Sequence, residues 1–164
     1  IEHLLKSIIP QVHQEYAIDL WERIQRKLGK WAQGQLLLGF FVGALMFVVL
    51  WAMGVKYALT IALLVGVLEI VPMIGPIIAG VITFLLISFQ SPILAIIAIV
   101  AYFLTEQVQQ HIFFPKVMSR AIGLNPVIII VALLVAAKLI GFWGVILAIP
   151  IAVTIGEFVK DLRK

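Results

Sequence analysis

Polar and apolar positions are divided unequally along this chain. The first thirty-odd residues mix charges with apolar side chains at helical spacing. Almost everything after them is apolar, cut by short breaks that contain Gly or Pro. Pro10 separates a short piece from a helix predicted over roughly Gln11 to Trp31. There Val12, Tyr16, Leu20, Ile24 and Leu28, with Trp21 and Trp31, take about one half of the helix surface. Acids come first (Glu15, Asp19, Glu22) and bases last (Arg23, Arg26, Lys27, Lys30), the order that suits the helix dipole. Asp19–Arg23 and Glu22–Arg26 are favourable i,i+4 pairs. The pattern predicts an amphipathic helix at the membrane interface, with Trp21 and Leu28 buried and Arg23 and Arg26 among water or head groups. A soluble helix packed on another part of the protein fits the same pattern.

Leu36 to Gly54 is uncharged and long enough to cross about 30 Å of hydrocarbon. Gly39 and Gly43 in it have the small-xxx-small spacing that permits close helix contact. Next comes an apolar stretch from Ala58 to Phe89, interrupted by Glu69-Ile70-Val71-Pro72-Met73-Ile74-Gly75-Pro76. Two prolines four apart cannot both lie inside one regular helix. The spacing predicts a helix ending near Val71 and another starting at Pro76, each too short to cross alone. The pair forms either a re-entrant hairpin or one broken span. Gln90-Ser91-Pro92 turns the chain into a crossing from Ile93 to about Phe114, closed by Pro115. Asn125-Pro126 opens a further helix, with an N-cap residue and proline at its first position. That helix runs to Ile140. Gly141-Phe142-Trp143-Gly144 interrupts it, and Val145 to Ile155 follows with Pro150 inside. Two interrupted segments in corresponding positions point to a transporter site built from discontinuous helices.

Composition confirms the class. Of 164 residues 63% are hydrophobic and only 12% charged, and the mean hydropathy is +1.18. The fold class is therefore an all-α membrane protein: transmembrane helices plus two Pro/Gly-broken, re-entrant helix pairs and an N-terminal amphipathic helix. Continuous rather than alternating runs argue against a β-barrel. Two regions are expected, 1–33 interfacial and 34–164 transmembrane, in a chain that begins with Ile1 and reads as the later part of a longer protein. Without cysteine there is no disulfide, thiolate site or thiol catalysis. The net charge of +4 is no nucleic-acid signal, because the bases cluster at membrane edges: Arg23–Lys30, Lys116 with Arg120, and Lys160–Lys164. With hairpins at both breaks, all three clusters face the cytoplasm. Single broken spans would put Lys116 and Arg120 outside.

Candidate chemistry is sparse. Glu69 lies within one turn of the first break, and an ionisable group at membrane depth is a functional candidate. It stands at the negative end of a helix dipole in an apolar setting, which disfavours its charge. Lys138, at the end of its own half-helix, is a candidate charge partner. Tyr102, Thr105, Glu106, Gln109 and Gln110 share one face of the fourth apolar segment and could line a polar path or bond to a neighbouring helix. His111 lies off that face. No His-Glu-x-x-His, Gly-x-Ser-x-Gly or phosphate loop is present, and Ser7, Ser88, Ser91 and Ser119 have no evident base. These absences argue against an enzyme. No cofactor is expected.

These residues resemble the autoinducer-2 exporter family of bacterial inner-membrane proteins. The resemblance rests first on Glu69 to Pro76. It extends to Pro115-Lys116-Val117-Met118, Gly123-Leu124-Asn125-Pro126, Lys138 to Gly144 and Leu147-Ala148-Ile149-Pro150. Arg23 to Gly29 and Gly34-Gln35-Leu36 also fit. It implies a multi-pass exporter of the inner membrane that corresponds to the C-terminal half of family members, some of which are sodium/proton antiporters. The expected partners are the lipid bilayer and a small polar solute, H+ or Na+. A homo-oligomer is expected, a pentamer being one candidate. Glu69 would couple ion movement, with Tyr102, Glu106, Gln109 and Gln110 lining the site. Pro72, Gly75, Pro76, Asn125, Pro126, Gly141, Gly144 and Pro150 would form the breaks. A passive oligomeric pore and a non-transporting scaffold are the alternatives.

Overall fold

The computed structural model describes residues 11–117 and 126–162. There the chain is helical between short turns, without a strand among the described residues. Along it run α1 (Gln11–Ala52), α2 (Ala58–Leu68), α3 (Ile74–Ser88), α4 (Pro92–Val108), α5 (Pro126–Ile140) and α6 (Phe142–Leu162). A π turn at Gln109–Phe113 continues α4 to Val117. Three of the described helices are long and apolar enough to cross a membrane: Gln14–Ala52, Pro92–Val117 and Trp143–Asp161. Pro10, Arg120 and Asn125 lie outside the described residues. The chain divides into two compact units, Ala32–Arg120 and Ile1–Trp31 with Ala121–Lys164.

Four expectations change. No break separates an interfacial helix from the first crossing, because α1 runs unbroken for 42 residues. The switch from mixed to apolar composition alters what the helix faces, not its backbone, and Gly29 and Gly34 are tolerated within it. Pro115 does not close the fourth segment, which continues to Val117. Pro150 does not break α6, which continues to Leu162. A proline removes one N–H and crowds one turn, a loss that apolar helices absorb; one turn on, the Thr154 hydroxyl donates to the Pro150 carbonyl at 2.9 Å. The second broken segment is therefore unequal, with 15 residues before Gly141 and 21 after it.

In the unit Ala32–Arg120, α2 packs on α3 and α3 on α4. Its core holds Val42, Met46 and Leu50 of α1, Ile61, Ala62 and Val65 of α2, and Ala95, Ala98 and Tyr102 of α4. Gly39 and Gly43 meet α2 as their spacing suggests. A Cβ on Gly39 would stand 2.5 Å from the Gly66 carbonyl oxygen, and one on Gly66 would stand 2.8 Å from that of Gly39. The side chain of Gln90 ties the turn before α4 to the turn after α1, accepting from the Lys56 N–H at 2.8 Å. Ser91 caps α4, with Pro92 at its first position.

In the other unit, α5 and α6 pack together. The polar half of α1 meets the end of α6 through a charged ladder. Arg23 donates to Asp161 at 3.0 Å and lies 3.5 Å from Glu157. One turn on, Lys27 Nζ is 2.6 Å from Glu157. Rungs 23:161 and 27:157 set the two stretches antiparallel. Arg23 therefore turns inward instead of standing in water, while Arg26 stays exposed beside Glu22 at 3.7 Å. Trp21 and Leu28 are half-buried, and Ile24 between them is buried.

Candidate functional site

The first break is built as follows. Helix α2 ends at Leu68, and Glu69 caps it with a backbone N–H still bonded to the Val65 carbonyl at 3.0 Å. Ile70 and Val71 bond three residues back, tightening the last turn. Met73 then takes a positive φ of 66°, rare outside glycine. Helix α3 starts at Ile74, so Pro76 sits in its first turn rather than at its first position. No N–H is lost there, since the first four are unpaired in any helix. The chain folds back so tightly that a Cβ on Gly75 would lie 1.9 Å from the Leu68 carbonyl oxygen. The second break uses the same device. Gly141 has φ +64°, and a Cβ on Gly144 would lie 1.9 Å from the Ala136 carbonyl oxygen.

Around the first turn, polar side chains gather inside an apolar unit. Glu69, Tyr102, Thr105, Glu106 and Gln109 are all buried, as is Gln35 of α1. Glu69 Oε1 accepts from Gln109 Nε2 at 2.8 Å. Gln35 Nε2 donates to the Glu69 backbone carbonyl at 2.6 Å. Tyr102 packs against Gly80, where an added Cβ would stand 3.1 Å from its ring, and donates its hydroxyl to the Pro76 carbonyl at 2.8 Å. Thr105 bonds back to its own helix at Ala101. The π turn begins at Gln109, which is buried; π turns recur at functional sites. Gln110 is exposed, and its side chain still acts on the Glu106 carboxyl.

Four oxygens of this cluster have no hydrogen-bond partner: Gln35 Oε1, Glu69 Oε2 and both carboxyl oxygens of Glu106. Each such buried group costs about 1–3 kcal/mol, so the arrangement calls for a donor. All four are acceptors. A proton, a cation or a donor-bearing solute completes them, and an anion does not. The Tyr102 hydroxyl and the Gln110 amide stand close enough to act on the Glu106 carboxyl, but neither reaches hydrogen-bond geometry with it; Gln109 and Glu106 act on Glu69. Among the described residues no three His, Asp or Glu side chains gather as a metal site.

The structure thus brings Glu69, Tyr102, Glu106 and Gln109 together. It gives Glu69 a glutamine partner, while Lys138 stands exposed in the last turn of α5, in the other unit. His111 is exposed. Gln35 is a site residue that the sequence did not single out; Thr83 is a further buried hydroxyl on α3 without a partner. A lone polar residue amid apolar ones was the available signal for Thr83, whereas Gln35 follows Gln33 and Gly34 and has no such local mark.

A family model described as AI-2E family transporter matches residues 1–164, the whole chain. The chain belongs to the AI-2E transporter family.

Three Bacillus subtilis relatives, each named a putative transport protein, fit this membership. YueF is 27% identical over 98% of the chain and 43% of its own length. YrrI is 30% identical over 77% of the chain and 36% of its own length. YtvI is 26% identical over 97% of the chain and 43% of its own length. The chain thus spans less than half the length of these AI-2E relatives. No solved structure matches it. Membership and the apolar helices together make this a membrane protein of a transport family.

Proposed function

We propose that the protein is a secondary transporter, exporting a small polar solute or exchanging cations, with ion coupling through Glu69 and Glu106. The observation that carries the reading is the buried pair of carboxyls with unpartnered oxygens, held beside a broken backbone. A scaffold has no use for such a pair. An uncompensated charge at membrane depth costs at least about 2.5–3.5 kcal/mol, so the cluster is most stable when neutral. Two protons leave it neutral, and so do one proton and one monovalent cation. The exchange is therefore one for one and electroneutral. The test is flux into proteoliposomes with an imposed sodium or proton gradient. Expected is gradient-driven exchange that does not respond to membrane potential. Flux indifferent to either gradient would return the protein to the passive-pore reading.

The same reading makes both breaks re-entrant hairpins in a multi-pass protein of the bacterial inner membrane, assembled as a homo-oligomer. The fold-back at Gly75 and at Gly144 supports the hairpins. They put the Arg23–Lys30 bases, Lys116 and Lys160 on the cytoplasmic side. A cysteine at Lys116, in a chain that has none of its own, should label only from the cytoplasm. Labelling from the periplasm rules the hairpin topology out.

A further inference from the structure

We propose that Gln35 of α1 is the ion-selecting member of the carboxyl cluster, a role that rests on the ion-coupled reading above. Glu69 stands at the end of α2 and Glu106 on α4; Gln35 adds a third element. Its amide orientation follows from chemistry. Nε2 donates to the Glu69 carbonyl at 2.6 Å, and turning the amide over would set oxygen against oxygen. Oε1 is thereby left buried without a donor, in a side chain only 4% exposed.

The face of α1 that carries Gln35 reaches the Glu69 side chain. Gly39, one turn after Gln35, lies on that face, and the position its Cβ would take is 3.6 Å from the Glu69 Cβ. A Cβ there would also stand 2.5 Å from the Gly66 carbonyl oxygen, so α1 and α2 meet closely beside the Glu69 side chain, and Gln35 lies one turn before that contact. An uncharged amide oxygen adds little for a proton, which passes between two carboxyl oxygens. It adds much for a bare cation, which must replace its water with several oxygens at once. Gln35 Oε1, Glu69 Oε2 and the two Glu106 oxygens supply four. Only two of the contributing groups can carry charge, which suits a monovalent ion. Gln35 thus decides whether the cluster takes a monovalent cation in addition to protons.

The test is equilibrium binding of radioactive sodium to the purified protein, with thermal unfolding measured in parallel without sodium. Gln35→Leu removes the oxygen and should weaken sodium binding at least tenfold. Gln35→Lys keeps a donor for the Glu69 carbonyl and sets an ammonium among the unpartnered oxygens. It should abolish sodium binding while the protein unfolds no earlier than before. Sodium affinity within twofold of normal in either variant overturns the role of Gln35 and leaves the carboxyl pair standing. Absence of sodium binding in the unsubstituted protein overturns sodium coupling itself and the role of Gln35 with it.

Discussion

Replacing Glu69 by glutamine should abolish ion-coupled flux while the protein still folds and inserts. The substitution keeps the size of the side chain, and its amide oxygen can still accept from Gln109 Nε2, as Glu69 Oε1 does at 2.8 Å. Its new N–H₂ faces acceptors that lack donors, the oxygens of Glu106 among them. The fold therefore loses no hydrogen bond and gains the opportunity for one. What disappears is the group that exchanges a proton for a cation, and one carboxyl alone cannot stay neutral with both bound. Exchange should drop to the level of empty liposomes in the proteoliposome assay. Thermal unfolding and the size of the purified assembly should match the unsubstituted protein. Normal exchange in Glu69→Gln, with unchanged dependence on sodium, would make Glu69 structural.

The other large effect is steric. Gly75→Ala and Gly144→Ala should each remove about 3 kcal/mol of stability or more, beyond the usual overpacking cost, because the obstacle is backbone. The added carbon would lie 1.9 Å from a carbonyl oxygen, of Leu68 in one case and of Ala136 in the other. Neither carbonyl can move without unwinding the helix that ends beside it. Gly141→Ala is the internal comparison. Its φ of +64° costs about 1–2 kcal/mol with a side chain, but nothing lies within 4 Å of the new carbon. Thermal unfolding of the purified protein should thus rank Gly75→Ala and Gly144→Ala well below Gly141→Ala. Equal stability of all three would mean that the tight fold-back is not how these turns are held.

Much of this architecture is legible in the chain because proline, glycine and charge leave local marks. Pro72 and Pro76 cannot share a helix, so a turn between α2 and α3 is forced. Ser91-Pro92 announces the start of α4. The spacing of Tyr102, Thr105, Glu106 and Gln109 gives one polar face, and that face is buried. Three features leave no such mark. The continuity of α1 is hidden because a change from mixed to apolar composition resembles a boundary, although helical hydrogen bonds cross it unhindered. The π turn at Gln109–Phe113 has no sequence signature. The ladder of Arg23 and Lys27 with Glu157 and Asp161 pairs residues more than a hundred positions apart. Local charge order explains only the Asp19–Arg23 pair, at 3.0 Å, and the Glu22–Arg26 pair, at 3.7 Å. Gln35 belongs with these, since its importance lies in what it touches across the fold.

The central claim is that the buried carboxyl pair gives up a proton when a monovalent cation arrives. Infrared difference spectroscopy of the purified protein, before and after sodium is added at neutral pH, reads that event directly. Protonated and ionised carboxyls absorb at separate frequencies. Sodium should lower the band of protonated carboxyl and raise that of carboxylate, and the change should vanish in Glu69→Gln. A spectrum without a carboxyl change on adding sodium, or the same change persisting in Glu69→Gln, would contradict the account.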